Sequence, residues 1–150
     1  RIESRGLGDV YKRQSLHIGA RGPTNDGSVF NHTREVGYGL INGSELFKTG
    51  LNNTAKRLVK ILKGRSVYLC FDMDFFDPSC APGVCTPTWG GATSREGLEF
   101  LQNLAGLNLV GADINTVSPP HDISGMTAFL AATVGLEILT LFCHSKNLIQ

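Results

Sequence analysis

The sequence predicts an α/β fold built around a parallel sheet, and three observations predict it. Apolar runs of strand length recur at residues 15–20, 66–71 and 107–114. Segments with helical character lie between and after them, as βαβ units require. The run Val-Tyr-Leu-Cys-Phe at 67–71 has no polar alternation, as expected of a strand covered on both faces of a parallel sheet.

The elements follow in order. Residues 1–14, RIESRGLGDVYKRQ, carry four basic and two acidic side chains and no apolar periodicity. They resemble a translated sequencing adapter and are set aside from fold reasoning. A flexible native segment is the alternative. On the adapter reading, residues 15–150 are the C-terminal part of a longer domain. Residues 15–20 (SLHIGA) read as a buried strand, followed by a Gly/Pro/Asn/Asp loop at 21–27. A helix is expected over 28–36, stopped by Gly37, then a short strand over 38–42. Residues 53–63 form an amphipathic helix with Ala55, Leu58, Val59 and Leu62 on one face. Gly64 is placed to end it in the left-handed conformation. The strand at 66–71 comes next. The helix over 93–105 carries a capping box, Thr93 with Glu96. The strand at 107–114, a Pro-rich loop and a long apolar helix from about Ser124 complete the chain.

Bulk properties narrow the function classes. The 150 residues suit one domain or part of one, and 41% hydrophobic against 18% charged residues argue for a packed body. Net charge is +1; without residues 1–14 it is 10 − 11 = −1. Neither value makes an electrostatic case for nucleic acid or an anionic membrane. The apolar run 125–142 contains Glu137, three threonines and two glycines, so it reads as a buried core helix and no membrane partner is expected. Cys70, Cys80, Cys85 and Cys143 form no CxxC pair and read as free buried thiols in a reducing cytoplasm.

The candidate chemistry lies at the end of the 66–71 strand. In parallel α/β sheets ligands bind beyond the C-terminal strand ends, where Asp72 and Asp113 fall. Strand alternation points Asp72 and Asp74 the same way. Two such carboxylates repel unless a cation lies between them, and oxygen donors suit Mg²⁺, Mn²⁺ or Ca²⁺. An EF-hand is rejected, since Asp77 stands where its Gly belongs. A haloacid-dehalogenase-type phosphatase would place Gly-Thr at Phe75-Phe76. A nucleotide-sugar DxD and a pair of capping aspartates remain open on the short motif alone.

The longer pattern D-M-D-x₃-P-x₃-P-G-x₇-G is met by Asp72, Met73, Asp74, Pro78, Pro82, Gly83 and Gly91. It resembles the third metal-binding signature of the ureohydrolase family (arginase, agmatinase, formimidoylglutamase). Residues 18–22, IGARG, resemble that family's IGIRG strand. Residues 113–122, DINTVSPPHD, and 125–128, GMTA, resemble agmatinase segments. The resemblance covers residues 15 to about 145. It implies a three-layer α/β/α arginase-like fold, of which this chain holds a partial domain. It also implies a binuclear Mn²⁺ centre, with Ni²⁺ as an alternative, that activates water against a guanidinium carbon and releases urea. By position Asp72 resembles a bridging ligand and Asp74 a ligand of one metal. A homo-oligomer, trimeric or hexameric, follows from the same resemblance.

Two departures matter. The upstream ligand motifs G-G-D-H and D-A-H-x-D-x-x-D are absent from the 150 residues, and His17, His32, His121 and His144 do not sit in them. The chain alone is therefore expected to bind metal weakly and be inactive. Where agmatinases and arginases place the glutamate that pairs with the substrate guanidinium, this chain has Thr116. Three accounts are open: a smaller or differently placed substrate such as guanidine or a guanidino acid, a substitute carboxylate such as Asp122, or a non-catalytic homologue serving as a structural subunit. Thr116, Trp89 and His121 are the candidate substrate-binding residues. Trp89 also has a packing alternative, and His121 a surface or hydrogen-bonded one. Asp77, before Pro78, is expected to fix a turn.

Overall fold

The computed structural model describes residues 15–22 and 28–148. The adapter-like segment 1–14 and residues 23–27 of the expected loop lie outside them. The chain divides into two compact units, Arg1–Lys48 and Thr49–Gln150.

In the first unit, β1 (Leu16–Ala20) and β2 (Gly39–Asn42) pair in parallel, with α1 (Val29–Glu35) between them. This is the βαβ unit expected there. Helix α2 (Gly43–Thr49) starts at once. No helix was expected at 43–49, because seven residues are too short to display a repeat. The local signal is the cap: Asn42 Oδ1 accepts the Glu45 N–H at 2.9 Å.

The second unit contains α3 (Leu51–Ile61), β3 (Ser66–Asp72), α4 (Ser94–Gln102), β4 (Asn108–Asn115) and α5 (Met126–Ser145). Helix α3 buries Ala55 and Leu58 of the apolar stripe read from the sequence, leaves its Val59 half-buried, and buries Leu51 in addition. Gly64 has φ +77°, the left-handed conformation expected after the helix. The capping box of α4 is formed. Thr93 Oγ1 accepts the Glu96 N–H at 3.2 Å, and the Glu96 carboxylate accepts the Thr93 N–H at 2.9 Å.

Strands β3 and β4 are parallel, with Phe71 opposite Ile114 and Asp72 opposite Asn115. The helices cover one face of this pair. The Phe71 ring packs on Phe75 and Phe76, Phe75 packs on Phe100 of α4, and Ile114 meets α5 at Gly135. Each large apolar side chain buried here contributes roughly 1.5–3 kcal/mol.

Three burial expectations are corrected. Strand β3 is not covered on both faces: Tyr68 and Cys70, on the face away from Phe71, are exposed. All four cysteines are free, but Cys70 and Cys85 are exposed and the other two half-buried. Helix α5 is a half-buried helix rather than a core one. It buries Thr127, Val134, Ile138 and Leu141 and exposes Met126, Phe129, Leu136 and Leu139. By length and composition alone it could cross a membrane, yet its Glu137 accepts a hydrogen bond from Gln102 of α4 at 3.0 Å. It is apolar all round, so packing one face on β4 leaves the other uncovered.

Candidate metal centre

Strand β3 ends on Asp72, and the chain turns at once into a single 3₁₀ turn, Met73–Phe75. The turn has a simple cause. The Asp72 side chain caps it by accepting the Asp74 N–H at 3.5 Å, while Met73 is fully buried and anchors it. Strand alternation therefore does not govern Asp74, and the expected relation between the two carboxylates is replaced by an Asx-type cap. Asp72 and Asp74 are both half-buried, on either side of the buried methionine.

Thr116 follows the last residue of β4 and lies beside Asp72. Its hydroxyl donates to Asp72 Oδ1. Its φ is +69°, an outlying conformation for a β-branched residue. Cys85 N–H donates to the Thr116 carbonyl at 2.9 Å, Val84 bridges Val117, and Ser118 N–H donates to the Gly83 carbonyl at 2.8 Å. The loop after the DMD strand is thus laced to the loop after β4.

Asp77 staples the remainder of that first loop. Its carboxylate accepts N–H groups from Ser79 at 3.0 Å, Gly90 at 2.8 Å and Gly91 at 3.2 Å. The Ser79 hydroxyl and N–H, with the two glycine N–H groups, outweigh burial and lower its pKa to about 2. The turn role expected of Asp77 is present and reaches across thirteen residues. Trp89 sits just before the stapled glycines and is 76% exposed, so indole packing does not account for it within this chain.

His121 closes a 3₁₀ turn, Pro119–His121, and is exposed; its Nδ1 lies 2.8 Å from Ser118 Oγ. Asp122 is engaged elsewhere. Its two carboxylate oxygens accept the N–H groups of Thr127 at 3.0 Å and Ala128 at 2.9 Å, at the start of α5. Burial opposes its ionisation, but these N–H donors prevail and lower its pKa. Asp122 serves a helix end.

A network not foreseen from the sequence occupies the exposed face of β3 and β4. Asn115 Nδ2 reaches Asp113 Oδ1 at 2.8 Å and Cys70 Sγ at 3.1 Å. The hydrogen bond to Asp113 raises the Tyr68 pKa, and burial followed by Asp113 raises that of Cys70. Cys70 is therefore a thiol near neutral pH. The strand register, which the sequence does not display, brings these four residues together.

As a donor set, Asp72 and Asp74 fit a hard divalent cation, since both offer only carboxylate oxygen. They do not complete a site. Among the described residues no group of three or more His, Cys, Asp or Glu side chains is placed to hold a metal ion.

The Arginase family profile matches residues 5–140. The chain belongs to the arginase family. Among curated members it is 36% identical over 132 residues to the guanidinopropionase of Pseudomonas aeruginosa, covering 88% of this chain and 42% of that protein. It is 36% identical over 130 residues to the agmatinase of Blochmanniella floridana, covering 87% and 40%. Among solved structures, proclavaminate amidino hydrolase from Streptomyces clavuligerus superposes with a TM-score of 0.81 at 33% identity, over 89% of this chain and 44% of that one. The chain thus spans about two fifths of the length of these arginase-family relatives. The arginase-like α/β fold expected from the sequence is the fold found, as a partial domain.

Proposed function

We propose that this chain is the C-terminal part of a metal-dependent ureohydrolase of the agmatinase-like branch, hydrolysing a guanidino C–N bond to release urea. The observation that carries the reading is the D-M-D turn at the end of β3, which sets Asp72 and Asp74 about a buried methionine inside an arginase-family signature. Relatives named agmatinase, guanidinopropionase and guanidino acid hydrolase support a guanidino substrate.

Asp72 and Asp74 would hold a divalent cation, Mn²⁺ or alternatively Ni²⁺, together with donors from outside these 150 residues. When bound, it lowers the pKa of water and stabilises negative charge near the attacking oxygen. The reaction balances simply. Water oxygen bonds to the guanidinium carbon, the bond from that carbon to the substrate amine breaks, and the amine nitrogen leaves with the electron pair and takes up both water protons, so a guanidinium yields urea and an ammonium. The chain's own residues hold the site still: Thr116 and the Asp74 N–H fix the Asp72 carboxylate, and Asp77 pins the loop bearing Trp89. Trp89 and His121 are the side chains offered to the substrate.

A second reading of the substrate has its own support. Thr116 brings no carboxylate and its hydroxyl donates to Asp72, while the Asp122 carboxylate accepts two N–H groups of α5. Guanidine itself or a guanidino acid is the alternative substrate, and relatives named guanidinopropionase and guanidino acid hydrolase support the latter. A cytoplasmic location and a trimeric or hexameric assembly complete the proposal.

The test is urea release by the product of the complete gene, loaded with Mn²⁺ or Ni²⁺, on agmatine, arginine, guanidinobutyrate and guanidine. Turnover of at least one is expected. No urea from any of them, with metal bound, would leave the protein a non-catalytic structural homologue.

A further inference from the structure

We propose that Thr116 is a positioning residue for Asp72, not a substrate contact; the inference rests on the metal-ligand reading of Asp72 above. Thr116 stands one residue past Asn115, the strand partner of Asp72, and its hydroxyl donates to Asp72 Oδ1. Asn115 carbonyl oxygen lies 2.8 Å from the same hydroxyl. One proton serves one acceptor at a time, and the ionised carboxylate is the stronger. The Asp74 N–H reaches the same Asp72 oxygen. Two donors converging on Oδ1 restrict rotation of the carboxylate and do not use Oδ2.

The backbone bears this out. A threonine at φ +69° is strained, whereas glycine or asparagine would take that conformation at little cost. Such conformations persist where the surroundings over-determine them. Here they do: the Thr116 carbonyl is held by Cys85 N–H, and the Val84–Val117 bridge and the Ser118-to-Gly83 bond flank it. The strained turn delivers a hydroxyl, which neither glycine nor asparagine carries, onto Asp72.

The complete gene product supplies the test, as wild type, Thr116→Gly and Thr116→Ser. Mn²⁺ affinity is read by titration with free Mn²⁺ followed by electron paramagnetic resonance. Stability of the metal-free protein is read by thermal melting. Removing an orienting partner of a metal ligand typically weakens metal binding about 10–100-fold. The expected result is a loss of that size for Thr116→Gly with no fall in the metal-free Tm, and affinity close to wild type for Thr116→Ser. That split separates positioning from a merely structural role, which would move both readouts together. Wild-type Mn²⁺ affinity in Thr116→Gly overturns the inference, as does an equal loss in both variants. A raised KM with unchanged Mn²⁺ affinity also overturns it, by returning Thr116 to the substrate. Absence of Mn²⁺ binding by the wild type removes the ligand reading of Asp72, and the inference with it.

Discussion

Gly83 and Asp122 meet so closely that a β-carbon at position 83 would stand 2.6 Å from Asp122 Cα and 2.5 Å from its Cβ. The neighbours cannot give way easily. Gly83 N–H donates to the buried Thr127 hydroxyl at 2.8 Å, and the Asp122 carboxylate holds the first turn of α5. Pro-Gly in the D-M-D signature is therefore where the loop after β3 locks onto the loop after β4 and onto α5. Gly83→Ala should destabilise the protein by about 1–3 kcal/mol, the usual cost of overpacking. Chemical denaturation of wild type and variant would show it as a lowered midpoint. An unchanged midpoint would mean that this approach is not tight in solution.

Asp77 makes a pH prediction. Its carboxyl is lowered in the folded state to about 2, first by the Ser79 hydroxyl and N–H, then by Gly90 and Gly91. A depressed carboxyl favours the folded state fully above its unfolded pKa, about 4. That contribution fades as pH falls from about 4 towards 2. Asp77→Asn should flatten this part of the stability–pH curve relative to wild type. Parallel curves for the two proteins over that window would remove the role assigned to the staple.

Trp89 is the sole tryptophan, exposed on a loop fixed from beneath by Asp77. A surface substitution of this kind usually shifts stability by less than about 0.5 kcal/mol. Trp89→Ala in the complete enzyme should leave the Tm nearly unchanged and raise KM for the guanidino substrate. A large fall in Tm would instead make Trp89 a packing residue against parts of the protein outside this chain.

Much of this was legible in the sequence, for identifiable reasons. Apolar runs announced β3 and β4, and Thr93 with Glu96 announced the start of α4, because both signals are local. The D-M-D spacing with its prolines and glycines announced the candidate centre. What stayed hidden depends on register or on close approach. The Tyr68–Asp113–Cys70–Asn115 network exists because Cys70 lies opposite Asp113. The cap at Asp72 replaced strand alternation because a side chain competed with the ladder for the Asp74 N–H. Asp122, weighed as a substrate carboxylate, belongs to α5 because two free N–H groups at the helix start face it. The exposed apolar face of α5 could not be foreseen from a composition that reads as core throughout.

Asp72 is proposed as a metal ligand in a ureohydrolase. Its most direct test is the manganese content and urea release of the complete gene product, measured side by side for wild type and Asp72→Ala after Mn²⁺ loading. Loss of bound manganese together with loss of urea release from the variant is the predicted result. A variant that keeps its manganese and still turns over substrate would contradict it.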